Sequence, residues 1–178
     1  MSTNSIDAGQ VRALLFYDAQ TGVLVWNMRP VRADRQRTDK TWNRCFAGKA
    51  AGTITSCGYV RIKLLGKKYM AHVLAWVWMT GEFPINEIDH KDTIKSNNKW
   101  DNLRIASHSQ NQANSRAYSN NKSGIKGVYW YPRSSRWIAQ IKVSGRTKTL
   151  GYFGSSDEAR AAYADAAKKH FGEFARAS

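Results

Sequence analysis

The segment Ser-Arg-Ala-Tyr-Ser-Asn-Asn-Lys-Ser at positions 115–123 divides the chain into two parts that each need a core of their own. Its small polar residues read as a linker and supply almost nothing to bury. The sequence therefore predicts a unit over 1–114, a linker over 115–123 and a smaller unit over 124–178, in 178 residues altogether.

The smaller unit has a plain pattern. Ile125–Pro132, Trp137–Val143 and Thr147–Phe153 read as strands, with Ser144-Gly145 as a turn between the last two. Trp137, Ala139 and Ile141 share one face of the middle strand. Ser155-Ser156-Asp157-Glu158 reads as a capping box for a helix reaching about Phe171. Acidic residues open this helix and Lys168-Lys169 close it, as its dipole favours. Ala159, Ala162, Tyr163 and Ala166 form a stripe of mainly small residues that lets it lie close on the sheet.

In the larger part, residues 5–18 read as an amphipathic helix with Val11, Leu14 and Leu15 on one face and Ser5 or Asp7 as its cap. Thr21-Gly22 turns into a strand, Val23–Asn27. Residues 28–44 carry Arg29, Arg32, Arg35, Arg37, Lys40 and Arg44 with little apolar content. They read as a loop, either a solvated connector or an arm that contacts phosphate. Gly58–Leu65 and Lys68–Met70 read as strands around a Gly66-Lys67 turn. Ala71–Thr80 is an apolar helix stopped by Gly81. The whole is an α+β expectation.

The net charge is +15. Residues 1–121 hold 17 basic and 9 acidic groups, and residues 122–178 hold 11 and 4, so both parts are cationic. Nucleic acid is the default partner for such a chain, because phosphate binding by Lys and Arg releases condensed counterions. An anionic membrane is the rival partner, but no stretch is apolar for 18 residues and no lipidation motif is present. Cys45 and Cys57 make no CxxC pair and read as reduced thiols of a cytoplasmic protein. The first residues have no signal-peptide pattern.

Chemistry concentrates in Glu87-Ile88-Asp89-His90, Asp101-Asn102-Leu103-Arg104 and Ser109-Gln110-Asn111-Gln112-Ala113-Asn114. The first piece reads as a short strand and the second as the turn into a returning strand, Leu103–Ala106. The third opens a helix with Ser107 and Gln110 as its capping box. A hairpin followed by a helix can bring Asp89 and Asn111 to one point. A carboxylate and a carboxamide suit a hard divalent ion such as Mg²⁺ that keeps several waters. A histidine next to a ligand can serve as general base if its strand ends there. An Asp-His pair is common, however, and a capped helix with surface polar residues explains the same spacing.

The run from Tyr69-Met70-Ala71-His72 through Gly81-Glu82-Phe83-Pro84, Ile88-Asp89-His90, Asn102-Leu103-Arg104 and Gln110-Asn111-Gln112-Ala113-Asn114 resembles the HNH endonucleases of phages and mobile introns, which include homing enzymes. Upstream, Tyr17-Asp18, Thr21-Gly22-Val23-Leu24-Val25-Trp26, and Ala50-Ala51-Gly52 with Gly58-Tyr59-Val60 resemble them too. The resemblance implies a ββα-metal core, also called a His-Me finger. It implies His90 as general base, Asp89 and Asn111 as ligands of Mg²⁺ or Mn²⁺, and Asn102 as the residue that shapes the loop behind His90. Asn98 matches a further loop Asn, and Arg104 is expected at the DNA. His72 matches a recurrent family histidine, expected to be a buried, hydrogen-bonded core residue. The chain departs from the family where the loop after the histidine reads Asp92-Thr93-Ile94, without the usual turn glycine.

Residues 124–174 resemble an APETALA2-type DNA-binding domain, through Gly127-Val128, Trp137, Ala139, Ile141, Leu150-Gly151, Phe153, Glu158-Ala159, Ala162-Tyr163, Ala166-Ala167 and Gly172. Such domains lay a sheet face in the major groove. By position that face holds Lys126, Tyr129, Tyr131, Arg133, Gln140, Lys142, Thr147 and Thr149. Tyr129 and Tyr131 stand where the plant domains carry arginine, so the base preference of those domains does not transfer. The expected protein is a monomeric, divalent-metal-dependent endonuclease acting on double-stranded DNA, with no small-molecule cofactor. The alternative is a DNA-binding regulator on the same two modules that has lost catalysis. Retention of Asp89, His90, Asn102 and Asn111 argues against it.

Overall fold

The computed structural model describes residues 6–115, 117 and 121–176. Ser5, and residues 116 and 118–120 of the polar separator, lie outside them. The chain divides into two compact units, Met1–Ile105 and Ala106–Ser178. Small antiparallel sheets and short helices give a mixed α and β fold.

The first unit starts with α1 (Ala8–Leu14). Asp7 caps it reciprocally: its Oδ1 accepts from the Gln10 amide at 2.7 Å and its own amide donates to Gln10 Oε1 at 3.1 Å. The helix expected over 5–18 ends at Leu14. Leu15–Asp18 is instead strand β1, antiparallel to β2 (Val23–Trp26). Leu15 and Tyr17 are buried while Phe16 is half exposed. That period of two is hidden when Val11, Leu14 and Leu15 are counted at helical spacing.

The expected loop over 28–44 is also corrected. After a 3-10 turn (Ala33–Arg35), Gln36–Phe46 is a helix, α2. It has no continuous apolar stripe to announce it. Its inner face is Asp39, Trp42 and Asn43, and the side-chain hydrogen bonds of Asp39 and Asn43 replace much of the burial a sequence pattern would reveal.

β3 (Thr53–Ile54), β4 (Val60–Leu64) and β5 (Lys67–Met70) form an antiparallel sheet in that order. α3 (Ala71–Thr80) follows, and Gly81 at φ +85° stops it as expected. Its Leu74, Ala75 and Val77 join Val11, Leu15, Tyr17, Ile62 and Leu64 in one core. β6 (Glu87–His90) pairs with β7 (Leu103–Ala106).

The second unit starts with α4 (His108–Asn114), capped reciprocally by Ser107 and Gln110. β8 (Val128–Tyr131), β9 (Arg136–Val143) and β10 (Arg146–Phe153) form an antiparallel sheet with β9 in the centre. α5 (Ser156–Phe171) covers it, burying Ala159, Tyr163 and Ala167 against Val128, Ala139 and Ile141. The cap of α5 differs from the expected box. Ser155 Oγ accepts from the Glu158 amide at 3.2 Å, but Glu158 Oε2 accepts from the Gly154 amide at 3.1 Å, one residue early. Gly127, at φ +71°, is where sheet and helix touch: a Cβ there would stand 2.3 Å from the Tyr163 ring.

Candidate functional site

β6 carries Ile88, Asp89 and His90, all buried. Asp89 Oδ2 accepts from Arg104 Nε and forms an ion pair with its Nη2, both at 2.9 Å. Arg104 sits on β7, and its side chain is 12% exposed. Its guanidinium thus faces a neighbouring strand's carboxylate, which the resemblance did not imply.

His90 is 4% exposed and its Nε2 lies 3.0 Å from Asn98 Oδ1. Asn98 Nδ2 donates to the Ser96 carbonyl at 3.3 Å, which assigns the amide so that oxygen faces the imidazole. This pairing favours the neutral tautomer that donates from Nε2 and carries its lone pair on Nδ1. Asn98 is itself held from behind. Its carbonyl accepts from the Tyr17 hydroxyl at 2.6 Å. Burial, with Asp101 and Asp18 nearby, pushes the Tyr17 pKa up to about 12, so the phenol stays a donor. The Trp100 amide donates to the Ala19 carbonyl at 3.0 Å. Gly22, at φ +75°, lets the β1–β2 turn approach: a Cβ there would lie 2.4 Å from the Lys99 amide nitrogen.

Asn102 closes the loop from the other side. Its Oδ1 accepts from the Asp92 amide at 3.1 Å, and its Nδ2 donates to Asp92 Oδ1 at 3.0 Å and to the Asn97 carbonyl at 2.7 Å. Burial raises the Asp92 pKa, but hydrogen bonds from Asn97, Ile94 and Asn102 more than reverse this and hold it below its usual value. Thr93 adopts φ +64°, the conformation for which the missing glycine is suited.

His72 differs from the expected hydrogen-bonded core histidine. Its buried Nδ1 has no hydrogen-bond partner, and its ring stands edge-on to His90 at 5.1 Å and beside Tyr59 at 5.4 Å. Burial, then the neighbouring His90, pull its pKa down to about 4, so it is neutral at pH 7. Tyr59 lies 6.1 Å from His90, with Lys95 Nζ 4.8 Å above its ring. Tyr17 and Tyr59 lie in segments that resemble the family, but neither their places around His90 nor the Asp89–Arg104 pair followed from the pattern. A tyrosine buried on a strand was the one signal that a hydrogen-bond partner for Tyr17 had to exist.

Among the described residues, no group of three or more His, Cys, Asp or Glu gathers as a metal cage. Mg²⁺ does not need one, since it keeps waters and takes one or two protein oxygens plus phosphate. A carboxylate at Asp89 and a carboxamide at Asn111 are donors of that kind. Asn111 stands on α4, in the second unit.

The sheet of the second unit gathers most of the residues expected at DNA. Register puts Lys142 opposite Thr147, Gln140 opposite Thr149, and Ile138 between Tyr129 and Tyr152. Gln140 Nε2 donates to Thr149 Oγ1 at 3.0 Å. Tyr131 pairs with Arg136 and its ring lies 6.0 Å from Tyr152. Arg133 is exposed in the turn Pro132–Ser134. Arg136 and Tyr152 join this face without having been singled out. Lys126 lines one cavity with Gln140 and Lys142, and its Nζ donates to the carbonyls of Gln112, Ala113 and Ser115, at 2.5, 2.7 and 2.9 Å.

No helix among the described residues is long and apolar enough to cross a membrane. No solved structure matches the chain. "Protein 3.8" of Escherichia phage T7 is 32% identical over 76 residues, 42% of this chain and 63% of that protein. An uncharacterized HNH endonuclease of Acanthamoeba polyphaga mimivirus is 30% identical over 112 residues, 62% of this chain and 57% of that protein. The matches thus span less than two thirds of either relative. Residues 69–113 match the family model of an HNH endonuclease, and residues 123–173 match that of the AP2 domain. The chain thus joins a segment similar to an HNH endonuclease, which carries Asp89, His90 and Asn111, to a segment similar to an AP2 domain, which carries the tyrosine-bearing sheet.

Proposed function

We propose that this protein is a divalent-metal-dependent endonuclease that nicks one strand of double-stranded DNA, with His90 as general base. The supporting observation is the buried His90, held through Nε2 by Asn98 so that Nδ1 is the basic atom. In this reading Nδ1 takes the proton of the attacking water. The bond between phosphorus and the 3′ oxygen breaks, leaving 5′-phosphate and 3′-hydroxyl ends. Asp89 and Asn111 hold Mg²⁺ or Mn²⁺, which when bound neutralises charge on the phosphate and leaving oxygen. Asn102 fixes the loop behind His90. Tyr129, Tyr131, Arg133, Gln140, Lys142, Thr147 and Thr149 face the duplex, where Arg and Gln can read base edges and Lys and Thr hold phosphates. The division at 114 and 124 is the proposed boundary between nuclease and DNA-binding domains.

A supercoiled-plasmid assay tests this. With Mg²⁺ the plasmid converts to open circle before linear product appears, and EDTA stops the reaction. His90→Ala lowers the rate on the order of 100- to 10,000-fold and leaves DNA affinity near wild type. Asp89→Ala and Asn111→Ala are both inactive. Full activity in EDTA sinks the metal-dependent reading. A wild-type chain that binds DNA and never cuts it favours the regulator instead.

A further inference from the structure

The basic segment before β3 has no part in the proposed chemistry. Its fold sorts its charges. On the inner face of α2, Asp39 Oδ2 accepts from both the amide and the Nε of Arg32 at 3.2 Å. Asn43 bonds the Arg29 amide and carbonyl, each at 2.9 Å. The Arg29 guanidinium lies 3.5 Å from the Trp42 ring centroid, and Trp42 packs edge-on to Trp26 of β2 at 5.6 Å. These contacts pin the helix to the strand that leads into it and turn one of its two nearby carboxylates inward. Asp34, the other, stands 3.6 Å from Arg35.

What remains outside is cationic. Arg37, Lys40 and Arg44 are exposed and follow at spacings of three and four, so they line one side of α2 over about 10 Å. Arg35 is exposed beside the same helix. A stripe of this kind costs self-repulsion and buries nothing, so it contributes nothing to the fold. Its complement is a regular row of negative charge.

We infer that the outer face of α2 is a second DNA-contact surface, at which Arg37, Lys40 and Arg44 grip the phosphate backbone of duplex DNA independently of sequence. This rests on the reading of the chain as a DNA-binding nuclease and adds to it a clamp carried by the first unit. The clamp anchors the nuclease unit to backbone while the sheet face supplies any base reading.

The test uses the full-length chain, a short random-sequence duplex and a salt titration in EDTA, so that binding is read without cleavage. The variant Arg37→Gln/Lys40→Gln/Arg44→Gln is compared with Arg160→Gln/Lys168→Gln/Lys169→Gln, which removes three exposed charges from α5. All six side chains are exposed, and matching thermal melts confirm that both variants fold. Each lost phosphate contact flattens the slope of log K against log salt by about 0.9. The α2 variant is expected to flatten it by about 2 to 3, and the α5 variant by less than about 1. Equal slopes for the two variants, or no DNA binding by the wild-type chain, overturn the inference. A wild-type chain that binds with the expected slopes but never nicks plasmid overturns the nuclease reading alone.

Discussion

His90 Nε2 and Asn98 Oδ1 stand 3.0 Å apart, and the hairpin β1–β2 braces the backbone of Asn98. Tyr17 bonds the Asn98 carbonyl, and Gly22 admits the backbone at 98–99. A residue near the start of the chain thereby orients one that follows it by more than 70 positions.

Asn98→Ala removes the acceptor that fixes the His90 tautomer. We expect the rate at saturating DNA to fall about 100-fold while DNA affinity stays within about twofold, because the loss lies in proton transfer. Asn98→Asp, which keeps an acceptor oxygen, recovers part of the rate. A purely structural Asn98 instead shows equal loss in both variants, together with a lower melting temperature.

Thr93 stores strain. A β-branched residue at φ +64° costs on the order of 1–3 kcal/mol, and glycine there costs about 0.5–1 kcal/mol in chain entropy. Thr93→Gly is expected to stabilise the protein by about 1 kcal/mol and to raise the midpoint of thermal unfolding by about 2–4 °C. An unchanged or lower midpoint shows that the Thr93 side chain holds the loop in another way.

Where patterns were local, the sequence was legible. The span of α3 with its Gly81 stop, the Ser107–Gln110 box and the order of β8, β9, β10 and α5 all follow from residues a few positions apart. Leu15–Asp18 and α2 were misread because partners distant in sequence decide them: β2 for the first, and Arg29, Arg32 and Trp26 for the second. In the candidate site, motifs picked out His90, Asn102 and Arg104, but not the pairing of Arg104 with Asp89 or the bond of the Tyr17 hydroxyl to Asn98. Charge pairing across strands and a buried phenol leave no fixed spacing in a sequence.

His72 makes stability depend on acid. Its folded pKa of about 4 lies below the unfolded value of 6.5, so between those values the unfolded chain binds a proton that the folded chain refuses. Stability is therefore full above pH 6.5 and falls as pH drops towards 4, by about 3 kcal/mol in all. Urea unfolding at pH 7, 6 and 5, above most carboxylate titration, reads this slope. His72→Gln is expected to flatten it. The same slope in the variant assigns the acid sensitivity to other groups.

Lys126 offers a separation of roles. It was expected to contact DNA, but its ammonium reaches three carbonyls at the end of α4, where helix carbonyls lack partners and the dipole favours a cation. Burial, with Arg176 nearby, pulls its pKa down to about 8, which leaves it mainly charged at pH 7. Bonds from a charged donor are worth about 1.5–3 kcal/mol each way a partner is lost, so Lys126→Met is expected to destabilise the second unit by about 2 kcal/mol. Amides of α4 should lose hydrogen-exchange protection first, because this helix has only two turns and the carbonyls at its end then lose a charged donor. The slope of DNA affinity against salt should stay at the wild-type value, since no phosphate contact is removed. A slope flatter by about 0.9, with α4 still protected, instead makes Lys126 a phosphate ligand whose ammonium leaves the helix when DNA binds.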